Sequence, residues 1–254
     1  MSAAQTIFGF HAVISRMRAH PGSVRELYIA EGRHDPRMKD VLRLATEKNL
    51  RVMTVNTTRL DGMSAGQGKS ARHQGVVAVV DALKLPQFIE DVLDTLAVPA
   101  LLLILDGVQD PHNLGACLRV ADAAGAHAVL APKDRSVGLT AAAIKVASGA
   151  ADTVPYIPVT NLARTLRELK ERQIWVVGAD AGGDSDLFRA KLEGAVAWVI
   201  GAEGEGLRRL TRENCDEIAA IPMFGSVASL NVSVAAGICL FETRRQREHA
   251  TKKP

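Results

Sequence analysis

Three short segments carry polar residues at spacings that chemistry can use. The first is 106–119, DGVQDPHNLGACLR, which follows the aliphatic run LLLIL. Its Asn113 stands where an apolar helical pattern begins, so it reads either as a helix N-cap or as a ligand-facing amide. Arg119 lies in that helix, facing solvent or holding a phosphate group through its forked guanidinium. His112 is a candidate general base, although a single histidine in a turn is more often structural. The second segment is 200–207, IGAEGEGL, in which three glycines allow close backbone approach to a ligand. The third is 221–231, IPMFGSVASLN, leading into the last helical pattern. There Ser229 reads as the N-cap and Asn231 as a residue just inside the helix, a position asparagine does not favour.

These segments exclude some functions. The glycine spacing G-x-x-G-x-G reverses the dinucleotide fingerprint, and no Lys-Ser/Thr pair follows it as in a phosphate-gripping loop. Glu203 and Glu205 inside it would repel phosphates, so NAD and ATP are poor ligands and a neutral or cationic one fits better. The three cysteines, Cys117, Cys215 and Cys239, form no C-x-x-C pair, which argues against a zinc ribbon or a disulfide framework and leaves no metal expected. Aromatic residues make up only 4% of the chain, too few for a base-stacking platform as the main device.

The elements that must position the segments follow from the apolar patterning. Residues 101–105 form a continuous apolar run, as in a strand buried on both faces of a parallel sheet. From residue 98 onward strands and helices alternate: strands over 101–105, 126–131, 174–177, 196–200 and 217–221, helices over 114–124, 139–147, 161–172 and 229–247. All three polar segments then fall after strands, where open parallel sheets bind ligands. The stripe Val234, Ile238 and Phe241 on the last helix is either core or interface.

Residues 1–80 form a separate α/β module, with helices over 9–20 and 36–48 and strands over 24–30, 50–55 and 75–80. Asp35 is placed as an N-cap ahead of Pro36. The module holds twelve Lys+Arg against six Asp+Glu, whereas the remainder holds 19 against 22. Such asymmetry fits either a polyanionic partner for the first module or a solvated basic surface. The basic stretch 63–74 is expected as a loop, and 81–97 as the linker to a domain spanning 98–254. The opening residues lack a secretory pattern and no apolar run is long enough to span a membrane, so a cytoplasmic location is expected.

Taken together and in order, DPHNLGACLRVADAAGAHAV, WVIGAEGEGLRRLT and IPMFGSVASLNVSVAAGICLFE resemble the three motifs of the SpoU family of RNA ribose 2′-O-methyltransferases, in the SPOUT superfamily. HQGVVAVV, residues 73–80, resembles the end of that family's RNA-binding module. The resemblance implies an α/β fold with a parallel sheet, a C-terminal trefoil knot and a small α/β RNA-binding domain in front. It implies S-adenosylmethionine as cofactor, against Gly201, Ile221 and Leu230, and a homodimer. It implies Asn113, Arg119, Glu203, Ser229 and Asn231 as the polar site residues. Arg119 would bind the target phosphate, Glu203 would hold Arg119 or Asn113, and the others would fix the ribose. The implied substrate is a guanosine in 23S ribosomal RNA. A tRNA guanosine, or an inactive RNA-binding assembly protein, are the alternatives.

Overall fold

The structure is a computed structural model that describes residues 4–33, 35–64, 73–82, 85–204 and 206–251. Most of the loop expected over 63–74, and Glu205 of the glycine loop, lie outside the described residues. The chain divides into two compact units, Met1–Leu85 and Pro86–Pro254.

The first unit contains β1 (Ala4–Phe8), α1 (Phe10–Ala19), β2 (Val24–Ala30), α2 (Pro36–Glu47), β3 (Val52–Val55), α3 (Thr57–Ser64) and β4 (Val76–Asp81). Its sheet has the order β1-β4-β2-β3, parallel only between β2 and β3. Asp35 caps α2 by accepting from the N–H groups of Arg37 and Met38. The apolar faces of α1 and α2 (Val13, Met17, Met38, Val41) close over Leu27, Ile29 and Ala78.

The second unit runs α4 (Ile89–Leu93), β5 (Leu101–Asp106), α5 (Pro111–Ala123), β6 (Ala128–Pro132), α6 (Ala141–Ala147), β7 (Tyr156–Val159), α7 (Leu162–Glu171), β8 (Trp175–Ala179), β9 (Ser185–Asp186), β10 (Val196–Gly201), α8 (Arg209–Glu213), β11 (Glu217–Ala220) and α9 (Val232–Thr251). Seven strands form one sheet, β7-β6-β5-β10-β8-β11-β9, with every pairing parallel. All six residues of β5 are buried because helices cover both faces. Leu101, Leu103 and Leu105 meet α5, α6 and α9 through Leu118, Ala143 and Leu240, while Leu102 and Ile104 meet α4 and α7 through Ile89 and Leu166. The stretch 81–97 is thus shared out: Asp81 ends β4, and Ile89 and Val92 pack into the second core.

Helix α9 is fastened beside the amino ends of β5 and β10 through Arg247. Arg247 donates to the carbonyls of Pro99 at 3.1 Å, Ala100 at 2.8 Å and Gly194 at 2.6 Å. The buried Trp198 indole donates to Thr243 at 2.9 Å. The helix continues to Thr251, four residues beyond the end expected at 247.

Candidate active site

At the carboxyl end of β5 the chain turns through Gly107, at φ 89°, and enters α5 with Pro111 in the first turn. The N-cap is Asp110, whose carboxylate accepts the His112 N–H at 2.9 Å. That bond, first among several, holds the Asp110 carboxyl below its ordinary value. Of the two readings of Asn113, the N-cap one therefore falls: the cap lies three residues earlier, because a carboxylate ahead of Pro111 is already placed for the task. Asn113 sits in the first turn with its side chain free for another use. His112 is exposed and its Nδ1 lies 3.1 Å from Asp110, so it serves the turn.

The partner of Asn113 comes from the other end of the unit. Asn231 Nδ2 donates to Asn113 Oδ1 at 2.9 Å. Asn231 Oδ1 accepts the backbone N–H of Ser233 at 3.0 Å and its hydroxyl at 2.7 Å, and the Asn231 carbonyl accepts from Ala235 at 3.0 Å. Asn231 is therefore the N-cap of α9, and the cap expected at Ser229 shifts two residues along the chain. Because Oδ1 must face the Ser233 N–H, Nδ2 is left as the donor toward Asn113. Ser229 stands exposed in the loop before the helix.

The glycine loop follows β10. A Cβ on Gly201 would lie 2.1 Å from the backbone carbon and oxygen of Gly206, so the two backbones touch only because Gly201 has no side chain. Gly206, at φ 67°, returns its N–H to the Ala202 carbonyl at 3.0 Å. The loop is then tied to the first segment by a pair that the residue types alone did not single out. Asp106, fully buried at the end of β5, accepts the Arg208 backbone N–H at 3.1 Å and its Nε at 2.6 Å, and also meets a terminal guanidinium nitrogen. A carboxylate ending a run of five buried aliphatic residues was the available signal, since a buried charge needs a partner.

The glycine loop and the third segment, together with residues 179–181, line a cavity of about 460 Å³. Gly201, Ile221 and Leu230 line it, together with Glu203, Ser229 and Asp180. Among its described lining residues are Ile200, Met223 and Val232, and none is lysine or arginine. Asp180 is already engaged, accepting the Gly182 N–H at 2.8 Å and pairing with Arg212 at 3.2 Å. Asn231 lies between Leu230 and Val232, so the Asn113–Asn231 pair adjoins the cavity wall. Glu203 makes no hydrogen bond or ion pair to Arg119 or Asn113 among the described residues, so the clamp expected of it is not formed. Arg119 is exposed on α5 and likewise has no ion pair among the described residues. Among the described residues there is no group of three or more His, Cys, Asp or Glu suited to a metal ion, and no helix long and apolar enough to cross a membrane.

Residues 100–241, which contain all three segments, match the model of the SpoU rRNA methylase family. The chain belongs to the SpoU rRNA methylase family. Residues 6–86 match the model for the substrate-binding domain of RNA 2′-O ribose methyltransferases. The chain is 58% identical to the 23S rRNA (guanosine-2′-O-)-methyltransferase RlmB of Neisseria meningitidis, over 97% of each chain. It is 56% identical to the RlmB of Bordetella pertussis, over 98% of this chain and 100% of the relative. Among solved structures, an RNA 2′-O ribose methyltransferase matches with a TM-score of 0.68 and 26% identity, over 96% of this chain and 89% of that one. The SpoU methyltransferase AviRb from Streptomyces viridochromogenes, in complex with AdoMet, shares the fold with a TM-score of 0.66 at 23% identity, over 97% and 91% of the two chains. Both units of this SpoU chain thus have counterparts in its relatives, in the same order.

Proposed function

We propose that this chain transfers a methyl group from S-adenosylmethionine to the ribose 2′-hydroxyl of a guanosine in 23S ribosomal RNA. One observation carries the reading. A cavity without lining cations adjoins the Asn113–Asn231 pair, in a SpoU chain 58% identical to an enzyme named for that reaction.

The cavity suits this cofactor, which has a sulfonium cation and no phosphate. Gly201, where a Cβ has no room, lets backbone groups approach, and Ile221 and Leu230 give apolar walls. When bound, S-adenosylmethionine supplies an electrophilic methyl group. The chain's own residues have the task of orientation, since the 2′-hydroxyl is a weak nucleophile and alignment lowers the barrier most. Asn113 and Asn231 fix each other and, with Ser229, hold the ribose. Arg119, a permanent cation, holds the adjacent phosphate and does not accept the hydroxyl proton. Glu203, on the cavity wall and free of Arg119, is available to the ligand itself.

The first unit, basic and matching the substrate-binding model, selects the RNA. The reading includes a homodimer, supported by the half-exposed Val234 and Phe241 on α9, and a cytoplasmic location. It also includes a C-terminal trefoil knot, supported by residues 179–181, 200–204, Gly206 and residues from 221–235 lining one cavity. The test is a map of ribose methylation on 23S rRNA transcript after incubation with the purified chain. One 2′-O-methylguanosine that is absent without the chain is expected. Methylation of a tRNA transcript instead, or of neither, refutes the reading.

A further inference from the structure

The loop between β6 and α6 has no part in the site described so far. It reads KDRSVGLT over residues 133–140. It is laced to the catalytic rim: the Val137 N–H donates to the Val108 carbonyl at 2.9 Å, and the Tyr156 hydroxyl donates to the Val137 carbonyl at 2.8 Å. A Cβ on Gly107 would stand 4.0 Å from the Arg135 carbonyl oxygen. Downstream, α6 packs so tightly on α5 that a Cβ on Gly115 would stand 2.5 Å from the Ala143 carbonyl oxygen. Gly115 is two residues beyond Asn113, so the loop and the Asn113–Asn231 pair share the rim at the carboxyl ends of β5 and β6.

Two features of the loop are unexplained by folding. Lys133, Asp134 and Arg135 are all exposed, and none makes an ion pair or side-chain hydrogen bond among the described residues. Arg135 also holds a left-handed backbone, at φ 62°. For a side chain with a Cβ that conformation is strained. Of the other non-glycine residues with positive φ, Asn49, Ser148 and Gln173 follow helices, where the conformation is the ordinary cap, and Gln74, ahead of β4, uses its side chain to accept the Phe10 N–H at 3.3 Å. Arg135 follows a strand and caps nothing. Glycine would suit the position better, so the arginine side chain has a use.

We propose that Lys133 and Arg135 contact phosphodiester groups of the RNA strand and hold it across the rim beside Asn113 and Asn231. This rests on the reading of the chain as an RNA ribose methyltransferase. Lys133 supplies a point charge and Arg135 a fork suited to a phosphate. The hydrogen bonds at Val137 fix the loop, so the cations are placed before RNA arrives. Asp134 between them leaves the loop with one net positive charge, which favours positioning over bulk attraction.

The experiment uses the full chain and 23S rRNA transcript, with RNA affinity measured across a KCl series and S-adenosylmethionine affinity by calorimetry. Lys133→Gln/Arg135→Gln should weaken RNA binding roughly tenfold and lower the salt slope by about 1.4, the loss of two single-strand phosphate contacts. The KM for RNA should rise in parallel, and cofactor affinity should stay within twofold. Arg135→Gly relieves the backbone and should raise thermal stability while still weakening RNA binding. Arg135→Lys should recover part of the affinity. Unchanged RNA affinity and salt slope in the double variant, with a wild type that methylates the transcript, would remove the loop's role alone. Equal loss of cofactor and RNA affinity would make the loop structural and overturn the proposal. A wild type that methylates no rRNA would overturn both readings.

Discussion

Asn113 and Asn231 lie 118 residues apart in the chain and share one hydrogen bond of 2.9 Å between their side-chain amides. The bond joins the first turn of α5 to the cap of α9, whose neighbours Leu230 and Val232 line the cavity. The two residues are not equivalent. Asn231 also caps α9, whereas Asn113 caps nothing, because Asp110 already holds that position. Asn231→Ala should therefore cost about 2 kcal/mol, for the cap and the bond together, and Asn113→Ala about 1 kcal/mol. Both tryptophans, Trp175 and Trp198, are in the second unit. Urea unfolding followed by tryptophan fluorescence reports on that unit alone and should rank the two variants in this order.

The Asp106–Arg208 pair ties β5 to the start of α8 and closes the glycine loop from below. Arg208 is partly in solvent, with 38% of its side chain exposed, while the Asp106 side chain is at 0%. Removing the arginine strands a buried carboxylate that keeps one backbone donor. Arg208→Met should destabilise the second unit by about 2 kcal/mol, less than the loss from breaking a fully buried pair. Because the loop is untethered, cofactor affinity should fall further than stability alone explains. Calorimetric titration with S-adenosylmethionine at a temperature where the variant is folded separates the two effects.

Much of the second unit was legible because its signal is redundant. The LLLIL run of β5 sits between helices on both faces, and the apolar pattern that marks it is the same one that buries it. The elements that escaped reading have weak local signals. Strand β7 holds Pro158 at the edge of the sheet, where the missing N–H is tolerated, and α3 is eight residues containing Gly62. At the site, Gly201, Ile221 and Leu230 do line one cavity, although they are up to 29 residues apart in sequence. The cap of α9 was misplaced by two residues and that of α5 left open at Asn113, because several cap-competent residues precede each helix and only the fold chooses among them. The Asp106–Arg208 bond was only half legible: the aliphatic run ahead of Asp106 marks a buried carboxylate in need of a partner, but nothing local marks Arg208, 102 residues on.

Gly201 tests the close backbone contact. Gly201→Ala places a Cβ 2.1 Å from the Gly206 backbone, which cannot move away without opening the loop. Cofactor affinity should fall more than tenfold. Gly204→Ala is the control: it meets nothing within 4 Å but sits at φ 83°, so it should cost about 1 kcal/mol of local strain. If both variants bind the cofactor as wild type does, the cavity is not the cofactor site.

The thiols set an alkaline limit on stability. Burial pushes Cys117 and Cys215 from 9.0 up to about 12, and drives Cys239 higher still. The folded state keeps these protons where the unfolded chain loses them, so the stabilisation is complete below pH 9 and is lost as pH rises from 9 toward 12. Urea midpoints should fall steadily above pH 9. At pH 8 a thiol reagent should leave Cys117 and Cys239 unmodified until the second unit unfolds.

Arg119 decides whether the RNA-facing and cofactor-facing parts of the site are separable. It is exposed, unpaired among the described residues, and absent from the cavity wall. Neither stability nor cofactor binding should depend on it. Arg119→Ala should slow single-turnover methyl transfer at least a hundredfold, since a misplaced hydroxyl loses the alignment on which the rate depends. Cofactor affinity should stay within about twofold, as expected for a group that meets only the RNA. Arg119→Lys keeps the charge but not the two-pronged geometry, so it should recover only part of the rate. If the alanine variant instead loses cofactor affinity in proportion to rate, Arg119 belongs to the cofactor cavity and the phosphate role assigned to it is wrong.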